Sequence, residues 1–385
     1  MRPIAVVAGY VVRCPLAGYA WQSLHYLYGL RRLGFDAYFY EDTAYYPDCF
    51  DPVSGEMGEA RPGPIQIASE FFGQHGFADR WIFWDAQRDR YAGRTREEVR
   101  GVLRDATLLL GLATVNRLPR QVGKRRAFVD LDPGVTQIQA QHDAGLRELL
   151  DDYDVHFTIG ENIGTPACAV PTGPWSWQPT RQPIALELWQ PAAPLPDAAL
   201  STIGRWDERR RVQQVGDQRY SWSKRDEWLN FLEVPRQTSA RFELAMDVDK
   251  NPADRARLAQ HGWAIVDPLA ISTDPLRYRD YIRNSRGEFT VAKELNVRLA
   301  TGWFSDRSAC YLASGRPVIV QNTGFETTLP TGAGVLAFRT PTEAVTAVRA
   351  VIDDWDLHSA AARRIAERYF DAKRVVAELL DRAGV

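Results

Sequence analysis

The segment from Gly287 to Phe325 constrains the fold of this chain more than any other part of the sequence. Its residues predict a strand, a polar loop, a helix and a second strand, in that order. Ser305 is a preferred N-cap residue, the helix it opens extends through Ala313, and Gly315 ends it before the apolar run 317–320. The segment therefore predicts one unit of a parallel α/β sheet, with the positive end of the helix dipole at the strand tips.

A helix start of this kind binds anions readily, because its first backbone N–H groups have no partner within the helix. Three cations, Lys293, Arg298 and Arg307, lie in the same segment. Together these features favour a ligand with two or more negative charges, and a nucleotide-sugar diphosphate fits that description. Spacing alone leaves a second interpretation open, namely an ordinary βαβ unit whose cap stabilises only its own helix, by about 1 kcal/mol.

The opening of the chain predicts another unit of the same type. A strand over Ile4 to Ala8 precedes a helix over Tyr19 to Leu33, which Gly34 ends, and a strand over Phe35 to Tyr40 follows. A βαβ opening predicts a doubly wound parallel sheet, whose binding loops follow the carboxyl ends of the strands.

Glu41 and Asp42 close the second strand, where an acidic group could bind the ribose of NAD. Dinucleotide-binding proteins also carry a G-x-G-x-x-G loop after the first strand. Here Gly9 and Gly18 are separated by eight residues and no such fingerprint exists. An NAD-dependent oxidoreductase is therefore disfavoured.

With 385 residues, of which 45% are hydrophobic, the chain suits two domains that each bury a core. A stretch from about 161 to 196 is rich in Pro, Gly and Trp and has no regular period, so we expect the domain junction there. The predicted domains are 1–185 and 186–385, the second including three terminal helices. Beyond the opening unit we expect strands over 108–112, 127–131, 155–159, 241–246 and 263–266, and helices over 145–150, 224–232, 252–261, 275–284, 342–353, 357–369 and 372–382.

The charges nearly balance, with 47 basic and 49 acidic side chains and a net charge of −2. No global field then recruits nucleic acid or an anionic membrane, so composition gives no support for a nucleic-acid partner. No run of 18 apolar residues exists, and Arg13 and Pro15 interrupt the apolar start, so we expect a soluble, unprocessed, cytoplasmic protein without a membrane span. The four cysteines are scattered without C-x-x-C spacing, which argues against a zinc site or a disulfide framework.

The run SRGEFTVAKELNVRLATGWFSDRSACYLASGRPVIVQNTGF, which begins at Ser285, resembles the donor-site block of a bacterial group of GT-B nucleotide-sugar glycosyltransferases. That group carries EF-(S/T)-VAK, GWFSDRSACYLA-(A/S)-GRPV and Q-(D/N)-TGF. The segments DLDP at 130–133 and WQPTRQP at 177–183 are also similar. The resemblance covers nearly the whole chain. It implies an α/β fold of two Rossmann-like domains facing across a cleft, with C-terminal helices, the acceptor on the first domain and the nucleotide sugar on the second.

The resemblance also implies roles for particular residues. The helix start and a nearby lysine would bind the diphosphate, the turn after the following strand would lie near the transferred sugar, and the first loop of the second domain would contact phosphate. The residues implied for the diphosphate are Ser305, Asp306, Arg307, Ser308 and Lys293. Those implied near the sugar are Asn322, Thr323 and Gly324, and those of the first loop are Ser221, Ser223 and Lys224.

The chain departs from better-known GT-B families at two acidic positions. When Gly315-Arg316-Pro317 is aligned with their Gly-x-Pro, the glutamate that holds the ribose falls on Cys310, and the upstream His or Glu falls on Gly302. Ribose contacts would then come from elsewhere. The stereochemistry of transfer, retaining or inverting, stays open.

Glycosyl transfer at a cationic phosphate site needs no metal, and we expect no metal and no cofactor other than the nucleotide sugar as co-substrate. Asp130 and Asp132 form a D-x-D pattern, but it lies far in sequence from the phosphate helix, which argues against a metal role. Both follow a predicted strand and are candidates for acceptor binding or proton removal, with Asp85 and His75 next. Each of these residues alone also fits a hydrogen-bonded loop residue.

The sequence thus predicts a metal-independent, hexosyl-type glycosyltransferase that moves a sugar from a nucleoside-diphosphate sugar to a small molecule, such as a secondary metabolite. A nucleotide-sugar epimerase or hydrolase on the same fold is the alternative, followed by a non-catalytic nucleotide-binding protein. Aromatic residues in the first half suggest a flat or apolar acceptor, although residues of this kind more often form a core. Acceptor identity, nucleotide and oligomeric state stay open. The aromatic residues are Phe71, Phe72, Trp81, Phe83 and Trp84.

Overall fold

Two parallel sheets organise the chain in the computed structural model, which describes residues 2–193, 195, 197–208 and 211–385. The first sheet and its helices occupy the amino-terminal half. Its elements are β1 (Ile4–Ala8), α1 (Ala17–Arg32), β2 (Asp36–Asp42), β3 (Cys49–Asp51), β4 (Glu56–Gly58), α2 (Pro62–Gln74), β5 (Trp81–Asp85), β6 (Arg90–Ala92), α3 (Arg96–Asp105), β7 (Ala106–Leu112), β8 (Arg125–Asp130), α4 (Val135–Gln139), α5 (Ala144–Asp151), β9 (Val155–Thr158) and β10 (Trp177–Pro179).

The second sheet occupies the carboxyl-terminal half. Its elements are β11 (Leu200–Gly204), β12 (Val212–Val215), β13 (Gln218–Ser221), α6 (Arg225–Asn230), β14 (Phe242–Met246), α7 (Pro252–Gln260), β15 (Trp263–Val266), α8 (Pro268–Ser272), α9 (Pro275–Asn284), β16 (Gly287–Thr290), α10 (Glu294–Arg298), α11 (Asp306–Ala313), β17 (Val318–Gln321), β18 (Val335–Phe338), α12 (Pro341–Asp353), α13 (Trp355–Tyr369) and α14 (Ala372–Ala383).

Both sheets reverse their strand order once, as doubly wound folds do. The first sheet runs β10-β9-β8-β7-β1-β2-β5-β6, with only β6 antiparallel to its neighbour. The second runs β15-β14-β11-β16-β17-β18 and its strand pairs are all parallel. The reversal therefore falls between β1 and β7 in one sheet and between β11 and β16 in the other, as expected for two Rossmann-like domains.

Buried apolar strands flanked by helices on both faces build each core. In β1 the residues Ala5 to Ala8 are all at most 1% exposed, which is typical of a central parallel strand. The helix α1 buries Leu24, Leu27 and Leu30 against this sheet, at the helical spacing seen in the sequence. Thr340 opens α12 with a capping box, since its hydroxyl accepts from Glu343 N while the Glu343 carboxylate accepts from Thr340 N.

The last helix returns to the first domain. A Cβ on Gly29 of α1 would lie 2.5 Å from Val376 Cγ2 and 2.6 Å from Ala372 O, so only glycine lets α14 approach α1 this closely. Ile184 N also donates to Phe370 O, and Ala372 N donates to Ile184 O, where the chain crosses between domains. The sequence placed all three terminal helices in the second domain, whereas α14 packs on the first.

Three further contacts join the domains. Asn162 donates from Nδ2 to Ala300 O and Gly324 O, and Trp21 Nε1 donates to Pro275 O over 2.8 Å. In addition, Trp222 and Leu295 from the second half of the chain pack within an apolar cluster formed mainly by residues of the first domain. No helix in the described part of the chain is long and apolar enough to cross a membrane.

Candidate active site

The candidate site lies at the carboxyl edge of the second sheet, where β11 and β16 are neighbours. Leu200 pairs with Gly287 and Ser201 with Glu288, and the chain leaves these two strands toward opposite sides of the sheet. Open α/β sheets bind ligands in the crevice at this point. The segments that follow the two strands, 205–208 and 291–293, therefore border the expected ligand position.

Arg307, the second residue of α11, joins this helix to both strands. Its Nε lies 2.6 Å from Glu288 Oε1, Nη1 donates to Ile203 O over 2.6 Å, and Nη2 lies 3.3 Å from Thr290 Oγ1. Glu288 is completely buried and the Arg307 side chain is 11% exposed. Burial opposes the charge of Arg307, but the Glu288 carboxylate offsets this and raises the pKa of Arg307. The guanidinium is thus already paired within the protein.

Lys224, just before α6, is a buried basic residue close to β16. Its Nζ lies 3.5 Å from Thr290 Oγ1 and 5.8 Å from the centre of the Trp303 ring. No carboxylate among the described residues forms an ion pair with it. Burial, with a further contribution from Arg307, lowers the pKa of Lys224 well below its usual range. An anion bound beside Lys224 would favour the charged form of this side chain.

Lys293, after β16, has an acidic partner. Its Nζ lies 3.0 Å from Glu208 Oε2 and 3.8 Å from the centre of the Trp222 ring. Burial lowers the pKa of Lys293, and Glu208 partly opposes that shift. Arg298, the third cation of the same segment, turns outward and pairs with Glu294. Of the three cations that the sequence predicts around this helix start, Arg307 and Lys293 lie near the crevice, whereas Arg298 does not. Lys224, from another segment, lies close enough to Arg307 for its charge to act on it.

The start of α11 borders a narrow cavity. Ser305 and Ser308 line it together with Thr290 and the Trp303 side chain. Ser305 stands at the N-cap as predicted, but its side chain makes no capping hydrogen bond and instead lies 3.3 Å from Asp306 Oδ1. Burial raises the pKa of Asp306, and the N–H of Arg307 opposes the shift. The Asp306 carboxylate therefore interacts with the first turn of α11.

The turn after β17 contacts the first domain. Asn322 Oδ1 accepts from Gly324 N over 2.6 Å, and Thr323 Oγ1 donates to Trp303 O over 2.6 Å. Gly324 has φ +91°, and a Cβ there would lie 2.6 Å from Asn162 Nδ2. This turn thus needs glycine on both conformational and steric grounds.

The two serines before Lys224 shape their own loop. Ser221 N donates to Glu294 Oε2 over 2.8 Å, and Ser223 Oγ donates to Asp207 Oδ1 over 3.1 Å. The Ser221 backbone and the Ser223 side chain therefore connect the loop to its neighbours, and Lys224 is the basic member of this predicted set.

The site faces two aspartates of the first domain that differ in environment. Asp130 is completely buried, and its carboxylate accepts from Thr136, Gln137, Thr158 and the backbone N–H of Asp132. Burial raises the pKa of Asp130, and these side-chain donors oppose the shift. Asp132 is half-buried and has no side-chain partner among the described residues. Its charge partly opposes the lowering of the Lys293 pKa by burial.

Sequence reasoning missed one cation on the crevice. Arg205 directly follows β11, is exposed, and has no hydrogen-bond or ion-pair partner in the described part of the chain. Its charge acts on Glu208 of the second domain and on Cys14 and Tyr19 of the first. Arg205 therefore lies between the domains. The signal that could have identified it is its position after a strand at the switch point, but β11 was not predicted.

Comparison with known structures decides the fold. No family model and no curated protein matches the sequence. Three solved structures match nearly the full length of both chains: an alpha-glucosyltransferase in complex with UDP and a 13-mer DNA containing a HMU base (TM-score 0.62, 8% identity, 100% of each chain), sucrose-phosphate synthase from Thermosynechococcus elongatus (0.57, 14%, 99% and 98%) and Anabaena Alr3699/HepE in complex with UDP and glucose (0.55, 10%, 100% of each). The protein has the GT-B fold. At these identities the likeness is one of fold.

The same comparison corrects the prediction about partners. Net charge gave no support for a nucleic-acid partner, yet several GT-B neighbours are alpha-glucosyltransferases bound to DNA. The prediction is wrong because a net charge of −2 averages over the whole surface, whereas nucleic acid is bound by local groups.

Two predicted residues lie outside the GT-B cleft. His75 ends α2, its Nδ1 lies 2.7 Å from Phe71 O, and its ring packs against Trp21. Asp85 ends β5 and accepts from the backbone of the turn that follows it while pairing with Arg88. Both are hydrogen-bonded structural residues, and neither faces Lys224.

The acidic end of β2 also has a structural role. Glu41 is completely buried, and its carboxylate accepts from the N–H groups of Val11, Val12 and Arg13 and from Arg13 Nε. It holds the loop after β1, so the group that suggested a ribose contact is already in use. In the described residues, no group of three or more His, Cys, Asp or Glu is arranged to hold a metal ion.

Proposed function

We propose that the protein is a glycosyltransferase that moves a hexosyl group from a nucleoside-diphosphate sugar to a hydroxyl of a small-molecule acceptor in the cleft, without a metal. The observation that carries this proposal is the buried side chain of Lys224, which has no ion-pair partner among the described residues and lies 3.5 Å from Thr290 Oγ1, near the point where the second sheet reverses its order. Arg205 and the start of α11 adjoin the same crevice. This combination suits a diphosphate leaving group.

In the proposed reaction, an acceptor oxygen attacks the anomeric carbon while the bond from that carbon to the β-phosphate oxygen breaks. The negative charge that develops on the diphosphate is met by Lys224, Arg205 and the positive end of the α11 dipole at Ser305. A preorganised donor of this kind commonly lowers the barrier by about 3–4 kcal/mol. Lys293 contributes less, because Glu208 already neutralises it.

Asp132 is the proposed proton acceptor for the attacking hydroxyl. It is half-buried on the first domain, free of side-chain partners in the described residues, and close enough to Lys293 for its charge to act on it. Asp130 supports it by accepting the Asp132 N–H and fixing the loop. Asn322, Thr323 and Gly324 form the turn after β17, which bonds to Trp303 in the segment before α11, and this turn would border the sugar.

Thermal denaturation with a panel of nucleotide sugars tests the donor site, beginning with UDP-glucose because two neighbours of the same fold are bound to UDP. A donor at about 100 times its dissociation constant stabilises the protein by about 2.7 kcal/mol. Lys224→Met and Arg205→Gln should lose this stabilisation, and the exposed Arg100→Gln should keep it. Equal stabilisation in Lys224→Met would contradict the assignment of the phosphate site.

Turnover is then measured by mass spectrometry with donor alone and with two classes of acceptor, hydroxylated aromatic small molecules and duplex DNA. We expect slow hydrolysis without acceptor and a sugar adduct with a small molecule. Rapid turnover of donor alone would favour an epimerase or hydrolase. An adduct on DNA only would keep the reaction class and refute the small-molecule acceptor.

A further inference from the structure

A second charged cavity lies outside the cleft, where the edge of the first sheet meets α13 and α14. This groove, here called the arginine groove, encloses about 320 Å³. It contains four arginines, Arg181, Arg368, Arg374 and Arg382. It shares no lining residue with the crevice around Lys224.

The lining of the arginine groove carries more positive than negative charge. Arg181 is paired with Glu161, its Nε lying 2.7 Å from Oε1 and its Nη2 3.0 Å from Oε2. Arg368, Arg374 and Arg382 form no ion pair within the described residues, and Glu378 is the other acidic residue of the lining. Four guanidinium groups against two carboxylates leave a charge of +2 on the lining.

Several contacts hold these guanidinium groups in the groove despite their mutual repulsion. The Tyr369 ring lies 5.0 Å from Arg181 Cζ and 5.5 Å from Arg368 Cζ, so one aromatic ring attracts both. Arg382 Nη1 donates to Pro179 O over 2.6 Å, and Arg374 donates to Arg368 O. These contacts use single N–H groups and leave others to face a ligand.

The floor of the groove is apolar. Phe157, Val375 and Leu379 line it and are at most 4% exposed. A volume of this size is near the lower end for small-molecule sites and suits a compact ligand better than a polymer. Guanidinium groups pair with phosphate through two parallel hydrogen bonds, which favours a phosphate over a simple halide.

We propose that the arginine groove is a second ligand site, separate from the cleft, that binds a small anion carrying a phosphate group with a charge near −2. Such a ligand offsets the excess charge of the lining and reaches Arg368, Arg374 and Arg382 at once. Because the groove lies beside the Ile184–Asp371 crossing, the ligand would contact the segments that connect the two domains. The proposal does not depend on what the cleft transfers.

Calorimetric titration of inorganic phosphate into the full chain, at constant ionic strength set with chloride, tests the proposal. We expect saturable binding that weakens at least tenfold in the double variant Arg368→Gln/Arg374→Gln. Lys373→Gln removes an adjacent exposed cation that does not line the groove and should leave the affinity unchanged. Glu378→Gln removes the acid of the lining that does not pair with Arg181, and it should tighten phosphate binding. This variant tests the proposal even if the double variant does not fold.

Lys224→Met distinguishes this site from the cleft and should not change the groove affinity. Phosphate binding lost in Lys224→Met but kept in Arg368→Gln/Arg374→Gln would overturn the proposal. So would an absence of saturable phosphate binding together with duplex-DNA binding that depends on Arg368 and Arg374, since the groove would then belong to a nucleic-acid surface.

Discussion

Arg307 Nε lies 2.6 Å from Glu288 Oε1, and the completely buried carboxylate makes this the innermost ion pair of the candidate site. The pair fastens the first turn of α11 to β16, while Nη1 reaches the backbone of β11. Arg307 therefore fixes the geometry of the proposed phosphate crevice, and Lys224 and Arg205, which form no ion pair with a described residue, are available to a ligand. The resemblance to GT-B glycosyltransferases implied phosphate binding for both Arg307 and Lys224.

Replacing Arg307 with Met should destabilise the fold. The substitution leaves the Glu288 charge buried without its partner, which typically costs about 3–5 kcal/mol. Urea denaturation at pH 7 measures the change in the free energy of unfolding. The double variant Glu288→Gln/Arg307→Met removes the stranded charge and should recover part of the loss. An Arg307→Met protein of wild-type stability with weakened nucleotide binding would assign Arg307 to the ligand instead.

Lys224→Met should show the opposite pattern. The pKa of Lys224 is lowered by burial in the folded state, so its charged form is favoured more in the unfolded chain, and the group costs stability below its unfolded pKa. At pH 7 the variant should therefore be as stable as the wild type or more so. Its nucleotide affinity should fall at least tenfold, by titration calorimetry. The exposed Lys124→Met is the matched control and should change neither quantity.

Much of the fold could be read from the sequence, because its strands and long helices carry strong periodic patterns. The helix α1 was predicted over 19–33 and occurs at Ala17–Arg32, and the three terminal helices lie within two residues of their predicted bounds. Strand β11 was missed because Ser201 and Thr202 interrupt its apolar run. These residues are buried, and their hydroxyls are satisfied by Tyr311 and Glu288, which are distant in sequence.

The irregular stretch predicted over 161–196 is only partly irregular, since β10 lies within it and adds an edge strand to the first sheet. Helix α10 was also missed, because five residues at Glu294–Arg298 are too few to show a period. Short elements of this kind are set by tertiary contacts rather than by local pattern.

The candidate site was less predictable than the fold. Spacing and resemblance found Lys224 and the α11 start, but the Glu288 partner of Arg307 lies 19 residues away on another element, and no local pattern reveals that pairing. Arg205 has no signal of its own once β11 is missed. Asp130 and Asp132 are equivalent in the sequence as a D-x-D pair, and they differ in the structure by burial and by hydrogen bonding.

Acid should destabilise the protein through His25. Burial, assisted by His75, lowers the pKa of His25 from 6.5 to about 3, so the folded state holds the neutral form and the unfolded chain takes up the proton first. The stability from this group is complete above pH 6.5 and is lost as the pH falls toward 3. Between pH 8 and pH 5 the loss is about 2 kcal/mol.

The measurement is the free energy of unfolding from urea titrations at pH 8, 6 and 5. His25→Asn keeps an acceptor for the Ala185 N–H, which now bonds to His25 Nδ1 over 3.1 Å, but removes the titration. The difference between wild type and His25→Asn should therefore shrink as the pH falls. Substitution of the exposed His142 by Asn should leave the pH dependence of the wild type unchanged. A constant difference across the three values would refute the role of His25.

Asp130→Asn and Asp132→Asn should fail in different ways. Asp130 is completely buried and accepts four hydrogen bonds, so an amide in its place turns one acceptor into a donor that faces the hydroxyl or amide of a neighbour. We expect the free energy of unfolding to fall by about 1–3 kcal/mol, with any loss of activity following the loss of structure.

Asp132 has no side-chain partner in the described part of the chain, so its replacement should leave stability and donor affinity intact. If Asp132 removes the acceptor proton, kcat should fall by about 10²–10⁴ with little change in the donor KM. Steady-state kinetics at saturating donor, combined with urea denaturation of the same preparations, separates the two roles. Wild-type kcat in both variants would remove the carboxylate base from the mechanism, whereas a kcat loss confined to Asp130→Asn at full stability would exchange the two assignments.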